Sequence, residues 1–346
     1  ARAGRRDLRR GPGRGCQHDR GGTMMHTSGL GSLPGTDVAG GVRFALEAAS
    51  LPWLPEFPAR GPWAGMIGRT LGMLEGIGAA LLAGEWSLTA IPGVDQRRAR
   101  ATLRDDLDVL EENAQGLTGP LRITATGPWT LAATTLAPRG GPVLKDASAR
   151  RDLAQSLAAG LTDLRAQVER RLPGTTATLQ IDEPLLPAVL GGEVRTESGY
   201  ARYAAVEAEE VIGALAGLHG DVLHCCAPGL DPGIVVGEHG AGFRGLALDE
   251  GLLSRADLDT LGPLLESGRE LWLGCADART LRAPHADALT ATVLGDLRAL
   301  EWGPRAATAV VLTPSCGLAS WPIDQIGPLF AALRTAAERL EAELAR

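Results

Sequence analysis

From Met25 onward, short runs of alternating or continuous apolar residues take turns with longer segments whose apolar positions recur every three or four residues. The short runs predict eight strands: His26–Ser32, Trp86–Ala90, Leu121–Thr126, Ala177–Ile181, Asp221–Cys225, Phe243–Leu248, Glu270–Gly274 and Thr308–Leu312. The longer segments predict helices over Asp37–Ala49, Met66–Leu82, Arg98–Asn113, Ser148–Arg171, Tyr200–Leu218, Ser254–Ser267, His285–Leu300 and Pro328–Ala345. Strands that alternate with helices pair in parallel through right-handed crossovers. Eight such units predict an α/β fold, a single closed (β/α)8 TIM barrel, rather than an open sheet. One stretch resists this scheme. Leu51–Pro62 holds four prolines and reads as a long loop over one face of the barrel, with Trp53 and Trp63 packing it down or lining a lid.

Composition fits one large core. The 346 residues are 45% hydrophobic but only 4% aromatic, so the core is built mainly from Leu, Ala and Val. The 46 glycines and 22 prolines suit many short turns. Residues 1–24 differ, with seven arginines and little that could be buried; they are expected to be a disordered basic tail preceding a barrel over 25–346. The formal net charge of −7 argues against nucleic acid as a partner. No apolar run is long enough to span a bilayer, and no secretory signal is evident. Five cysteines, two of them adjacent, do not suggest a disulfide framework. A reducing, cytoplasmic setting with thiols free for metal or catalysis is the expectation.

The chemistry gathers at the strand ends, where barrels build their active sites. His224 and Cys226 are two residues apart at the end of the fifth strand and therefore face the same way, while Cys225 faces the opposite way. Cys316 arrives at the end of the eighth strand. One imidazole and two thiols are donors that Zn²⁺ favours, and three protein ligands with a fourth position open describe a catalytic site. Cys275 ends the seventh strand and reads as a core thiol.

Five segments in order carry a resemblance: SGLGSLPGT from Ser28, TGPWTL from Thr126, LQIDEP from Leu179, HCC at His224–Cys226 and TPSCGL from Thr313. With them the chain resembles the catalytic barrel of cobalamin-independent methionine synthases and, more broadly, the zinc-dependent thiol alkyltransferases. The resemblance implies a methyltransferase that activates homocysteine as a thiolate on Zn²⁺ and yields methionine. It implies His224, Cys226 and Cys316 as zinc ligands, with Asp249 as a carboxylate ligand and Glu250 as its alternative. It places Leu30, Gly31 and Ser32 at the amino-acid carboxylate and Asp182 at the ammonium, with Glu183 beside it. Asp182 and Asp277 stand as candidate catalytic carboxylates.

The departures are as specific. Arg60, Thr134, Ala188 and Arg279 occupy positions where the family carries an acidic amino-acid contact, a folate-stacking Trp, an acidic folate contact and a proton-donating His. The thiol half of the family's site is thus matched and the folate half is not, so a corrinoid or another small alkyl donor fits better than folate. Two further readings stay open. One is a thiol transferase acting on an epoxide, like the coenzyme M transferases, with Arg60 or Arg279 holding a sulfonate. The other is a non-catalytic barrel that binds zinc or thiols.

Overall fold

The computed structural model describes residues 25–299, 302 and 306–346. The expected tail, with Cys16 and His18, lies outside the described residues. The strands are β1 (His26–Thr27), β2 (Gly78–Leu82), β3 (Glu85–Thr89), β4 (Gly119–Thr126), β5 (Thr175–Asp182), β6 (Val222–Cys225), β7 (Gly245–Asp249), β8 (Glu270–Ala276) and β9 (Val310–Pro314). Seven of them form one parallel sheet in the order β1-β9-β8-β7-β6-β5-β4. Helices lie between them, among them Ala147–Arg171, Ala208–Ala216 and Arg255–Glu266, and Ile323–Leu344 follows the last strand. Starts are fixed locally: Asp146 accepts from the Ser148 and Ala149 N–H groups, and Ser254 with Asp257 forms a capping box.

The run expected as the second barrel strand is not in this sheet. Residues 85–89 pair antiparallel with β2 in a separate two-stranded hairpin. The helix expected over Met66–Leu82 ends at Met73, and its last residues form β2. The cause is the turn at Ala83 and Gly84, both at positive φ (50° and 90°), which is the backbone of a tight hairpin.

The proline-rich stretch takes up the space instead. Residues 52–57 are buried rather than lying over a face. The Leu51 N–H donates to the Thr27 carbonyl, the Glu56 N–H to the Gly31 carbonyl, and the Leu33 N–H to the Glu56 carbonyl. On the other side the Leu54 N–H donates to the Arg122 carbonyl and the Arg122 N–H to the Pro52 carbonyl. The segment therefore touches both edges of the sheet through two isolated parallel bridges, Ser32 with Glu56 and Trp53 with Arg122. Pro52 and Pro55 have no N–H to give, which keeps these contacts from becoming a regular ladder. Trp53 anchors the stretch, stacked on Phe330 with centroids 5.3 Å apart, its indole N–H on the Gly31 carbonyl.

Strand alternation divides the apolar residues into two clusters. Along β6, Leu223 and Cys225 join the large cluster shared with the helices. Val222 belongs instead to a small one with Leu30, Ala247, Trp272 and Val311. The polar residues on this second face include Arg122, Thr124, Gln180, Asp182, His224 and Asp249, all buried.

Candidate metal centre

Register places the first two members of the site. Asp182, the last residue of β5, is paired with His224 of β6. The imidazole Nδ1 lies 2.9 Å from Asp182 Oδ1. The same oxygen accepts the Gln180 amide at 2.6 Å, and that amide also reaches the Leu30 carbonyl at 3.4 Å. A carboxylate on Nδ1 leaves Nε2 as the coordinating nitrogen. His224 Nε2 is buried and has no hydrogen-bond partner.

Cys226 follows directly after β6, and Cys316 sits two residues beyond β9. Gly317 permits the crossing, because a Cβ there would stand 2.3 Å from Ser32 Oγ. The Leu318 N–H donates to the Ser32 carbonyl at 2.9 Å, so the Cys316 turn and the Leu30–Ser32 turn are tied together. The ligand atoms of His224, Cys226 and Cys316 all lie within 4.8 Å of one another. The two sulfurs are 3.5 Å apart. Two thiolates on one tetrahedral zinc, with bonds of about 2.3 Å, would be roughly 3.8 Å apart. The donor set, the sulfur spacing and the orphaned imidazole nitrogen all fit zinc.

The electrostatics favour loss of one thiol proton. The contact between the two sulfurs lowers the Cys316 thiol to about 6 against its burial, and the same contact raises Cys226. Burial works against charge on His224, but the hydrogen bond and the charge of Asp182 outweigh it and raise the imidazole. Cys225 points away, as alternation predicts; burial raises it to about 12, and its Sγ meets the Ala227 carbonyl. Cys275 is likewise a buried core thiol pushed up to about 12 by burial.

The other expected site residues are distributed unevenly. Leu30, Gly31 and Ser32 lie beside the Cys316 turn, with Gly31 at φ 118°. Glu183 is fully buried below the rim. It accepts from the Trp129 N–H, the Thr130 N–H and the Thr130 hydroxyl at 2.9, 2.8 and 2.7 Å. Burial still raises its carboxyl to about 7. Asp249 is not among the three clustered ligands. Its Oδ1 accepts the Gly251 N–H at 3.1 Å, and its Oδ2 lies 3.5 Å from Arg279 Nη2. Glu250 shares a hydrogen bond with Asp296; burial, then this acidic neighbour, raises it to about 7. Asp277 accepts from the Arg279 backbone N–H at 2.9 Å and from Nε at 2.7 Å.

Glu56 was missed by sequence reasoning. It comes from the stretch read as a surface loop, yet it is buried, 2.6 Å from Thr124 Oγ1 and 3.0 Å from Arg69 Nη1. Period-two spacing from Leu54 was the only signal for it, and the prolines obscured that signal. Arg60 pairs with Asp106 at 2.5 Å and is thereby committed outside the clustered ligands. Thr134 bonds its own helix at the Thr130 carbonyl.

The fold is shared with a known enzyme. A structure of a B12-independent methionine synthase from Shewanella sp. W3-18-1, in complex with selenomethionine, superposes with a TM-score of 0.61. The match covers 93% of this chain and 99% of that one, at 14% identity. At that identity the likeness speaks for the fold alone. No family model and no curated protein sequence matches the chain. Among the described residues no helix is long and apolar enough to cross a membrane.

Proposed function

We propose that the chain is a zinc-dependent methyltransferase that methylates the thiol of an amino acid, homocysteine, to give methionine. In this reading the sheet acts as an eight-position barrel whose second position is filled by residues 51–56. The observation that carries the proposal is the cluster of His224, Cys226 and Cys316, with its buried, unpartnered imidazole nitrogen. Those three residues would hold Zn²⁺, which when bound supplies the Lewis acidity that ionises a thiol near neutral pH.

The protein's own groups do the rest. Asp182 holds the imidazole by Nδ1 and fixes the nitrogen offered to the metal. The Leu30–Ser32 turn, fastened to the Cys316 turn by the Leu318 N–H on the Ser32 carbonyl, would receive the amino-acid carboxylate. Sulfur then forms its bond to the methyl carbon as the donor's bond to that carbon breaks, and positioning of the two supplies much of the rate. No aromatic ring stands at Thr134 and no acid at Ala188, which favours a donor other than folate, such as a corrinoid. The sulfonate-thiol reading loses Arg60, which is held by Asp106, and keeps Arg279 as its cation. Free thiols at the site suit a reducing compartment.

Metal analysis with a turnover assay tests the reading. Wild-type protein is expected to hold one zinc and to form methionine from homocysteine and methylcobalamin, and Cys316→Ser to lose both. Equal zinc content and affinity in the two proteins would remove Cys316 from the site; zinc-loaded protein that binds homocysteine yet never methylates it would leave a binding barrel.

A further inference from the structure

Arg279, on the rim of the candidate site, directs its guanidinium at two acidic residues. Arg279 follows β8 on an exposed turn. Asp277 Oδ1 accepts both its backbone N–H and its Nε, which fixes the base and the plane of the guanidinium. The far end, Nη2, then reaches Asp249 Oδ2 at 3.5 Å. The other Asp249 oxygen is occupied by the Gly251 N–H, as the cap of the short turn after β7. Both oxygens of this buried carboxylate therefore have partners outside the metal cluster. Its side chain is only 7% exposed, whereas that of Arg279 is 61% exposed. Solvent alone would not hold the carboxylate in place, and a guanidinium anchored at its base can.

We propose that Arg279 is a clamp on Asp249: it holds the carboxylate away from the metal, so that His224, Cys226 and Cys316 are the only protein ligands and the fourth position stays open. Asp277 is then a positioning residue for the clamp rather than a group that meets substrate. The inference rests on the zinc reading, and it makes Arg279 the determinant of coordination number. Without the clamp, Asp249 retains a single N–H partner. It follows Leu248, which is level with Cys225 and so next to the Cys226 ligand, and ligation of a bound cation becomes its better-satisfied state. A four-ligand site would bind metal more tightly and admit a thiol less readily.

The test uses the full-length protein loaded with Zn²⁺ or Co²⁺, comparing wild type, Arg279→Ala, Asp249→Asn and the double variant. Zinc affinity is measured by chelator competition, and the Co²⁺ ligand-field bands report the donor set. Arg279→Ala is expected to bind zinc on the order of tenfold more tightly, the scale on which partners of metal ligands act. Its Co²⁺ bands should shift as an oxygen donor enters, and both changes should vanish in the double variant. Homocysteine should perturb the Co²⁺ bands of wild type more readily than those of Arg279→Ala. Unchanged affinity and bands in Arg279→Ala overturn the clamp. So does a large loss of zinc affinity in Asp249→Asn alone, which would make Asp249 a ligand already. If wild type itself binds neither metal, or binds them equally after Cys316→Ser, the zinc reading has failed, and the clamp with it.

Discussion

The arc from β5 to β9 and the stretch from residue 51 to residue 69 position polar groups by different means. On the arc, regular parallel ladders do the work. Asp182 is level with His224 because β5 and β6 are in register, and His224 shares a face with Cys226 because strands alternate. In the stretch only isolated bridges form, and no ladder fixes the register. Prolines interrupt the backbone donors, and a buried ion pair, Glu56 with Arg69, joins the stretch to β4 through Thr124. Where backbone pairing is continuous, side chains are free to serve a site. Where it is broken, charged side chains are spent on holding the chain in place.

The sharpest way to break that contrast is Arg69→Met. It would leave Glu56 buried without its cation, and removing one partner of a buried pair costs about 3–5 kcal/mol. Denaturant unfolding at neutral pH should show a loss of that order. The loss should shrink in acid, since burial already raises the Glu56 carboxyl and it protonates readily. Hydrogen exchange should rise first in residues 51–56 and last in β5 to β9. Uniform exchange, or a loss below 1 kcal/mol, would mean that the stretch is held by Trp53 and apolar packing instead.

The contrast also explains what could be read from the sequence. Seven of the eight expected strands lie in the sheet, and the outward turn of Cys225 follows from alternation alone. These elements are specified by local pattern. The second strand was misplaced because four prolines outweighed an apolar run that needs few N–H donors. The hairpin at Ala83 was hidden because alanine at positive φ is an uncommon turn residue. The contacts of Glu56 with Arg69 and Thr124, of Gln180 with Leu30 and of Arg279 with Asp249 depend on how distant segments meet, which no periodicity encodes.

A smaller effect is expected where β5 leaves the sheet. Glu183 has a folded pKa of about 7, above its ordinary value, because burial outweighs its three hydrogen bonds. The folded protein then holds a proton that the unfolded chain releases at lower pH. By linkage its contribution to stability is full below the ordinary carboxylate range, declines as pH rises toward 7, and is level above that. Unfolding free energies across this window should show the downward slope in wild type and a flatter profile in Glu183→Gln. A wild-type contribution that rises through the same window would mean that the cradle of Trp129 and Thr130 holds Glu183 ionised.

The smallest effect separates two neighbours on the arc. Cys225 and Cys226 are adjacent, yet one packs among the apolar side chains behind the sheet and the other belongs to the metal cluster. Cys225→Ala removes a buried sulfur and one weak contact to the Ala227 carbonyl, so a loss of about 1 kcal/mol is expected. Zinc stoichiometry, zinc affinity and the Co²⁺ bands should be those of wild type. A change in the Co²⁺ bands in Cys225→Ala would mean that the strand turns over at its end, and that the ligand set is not the one alternation assigns.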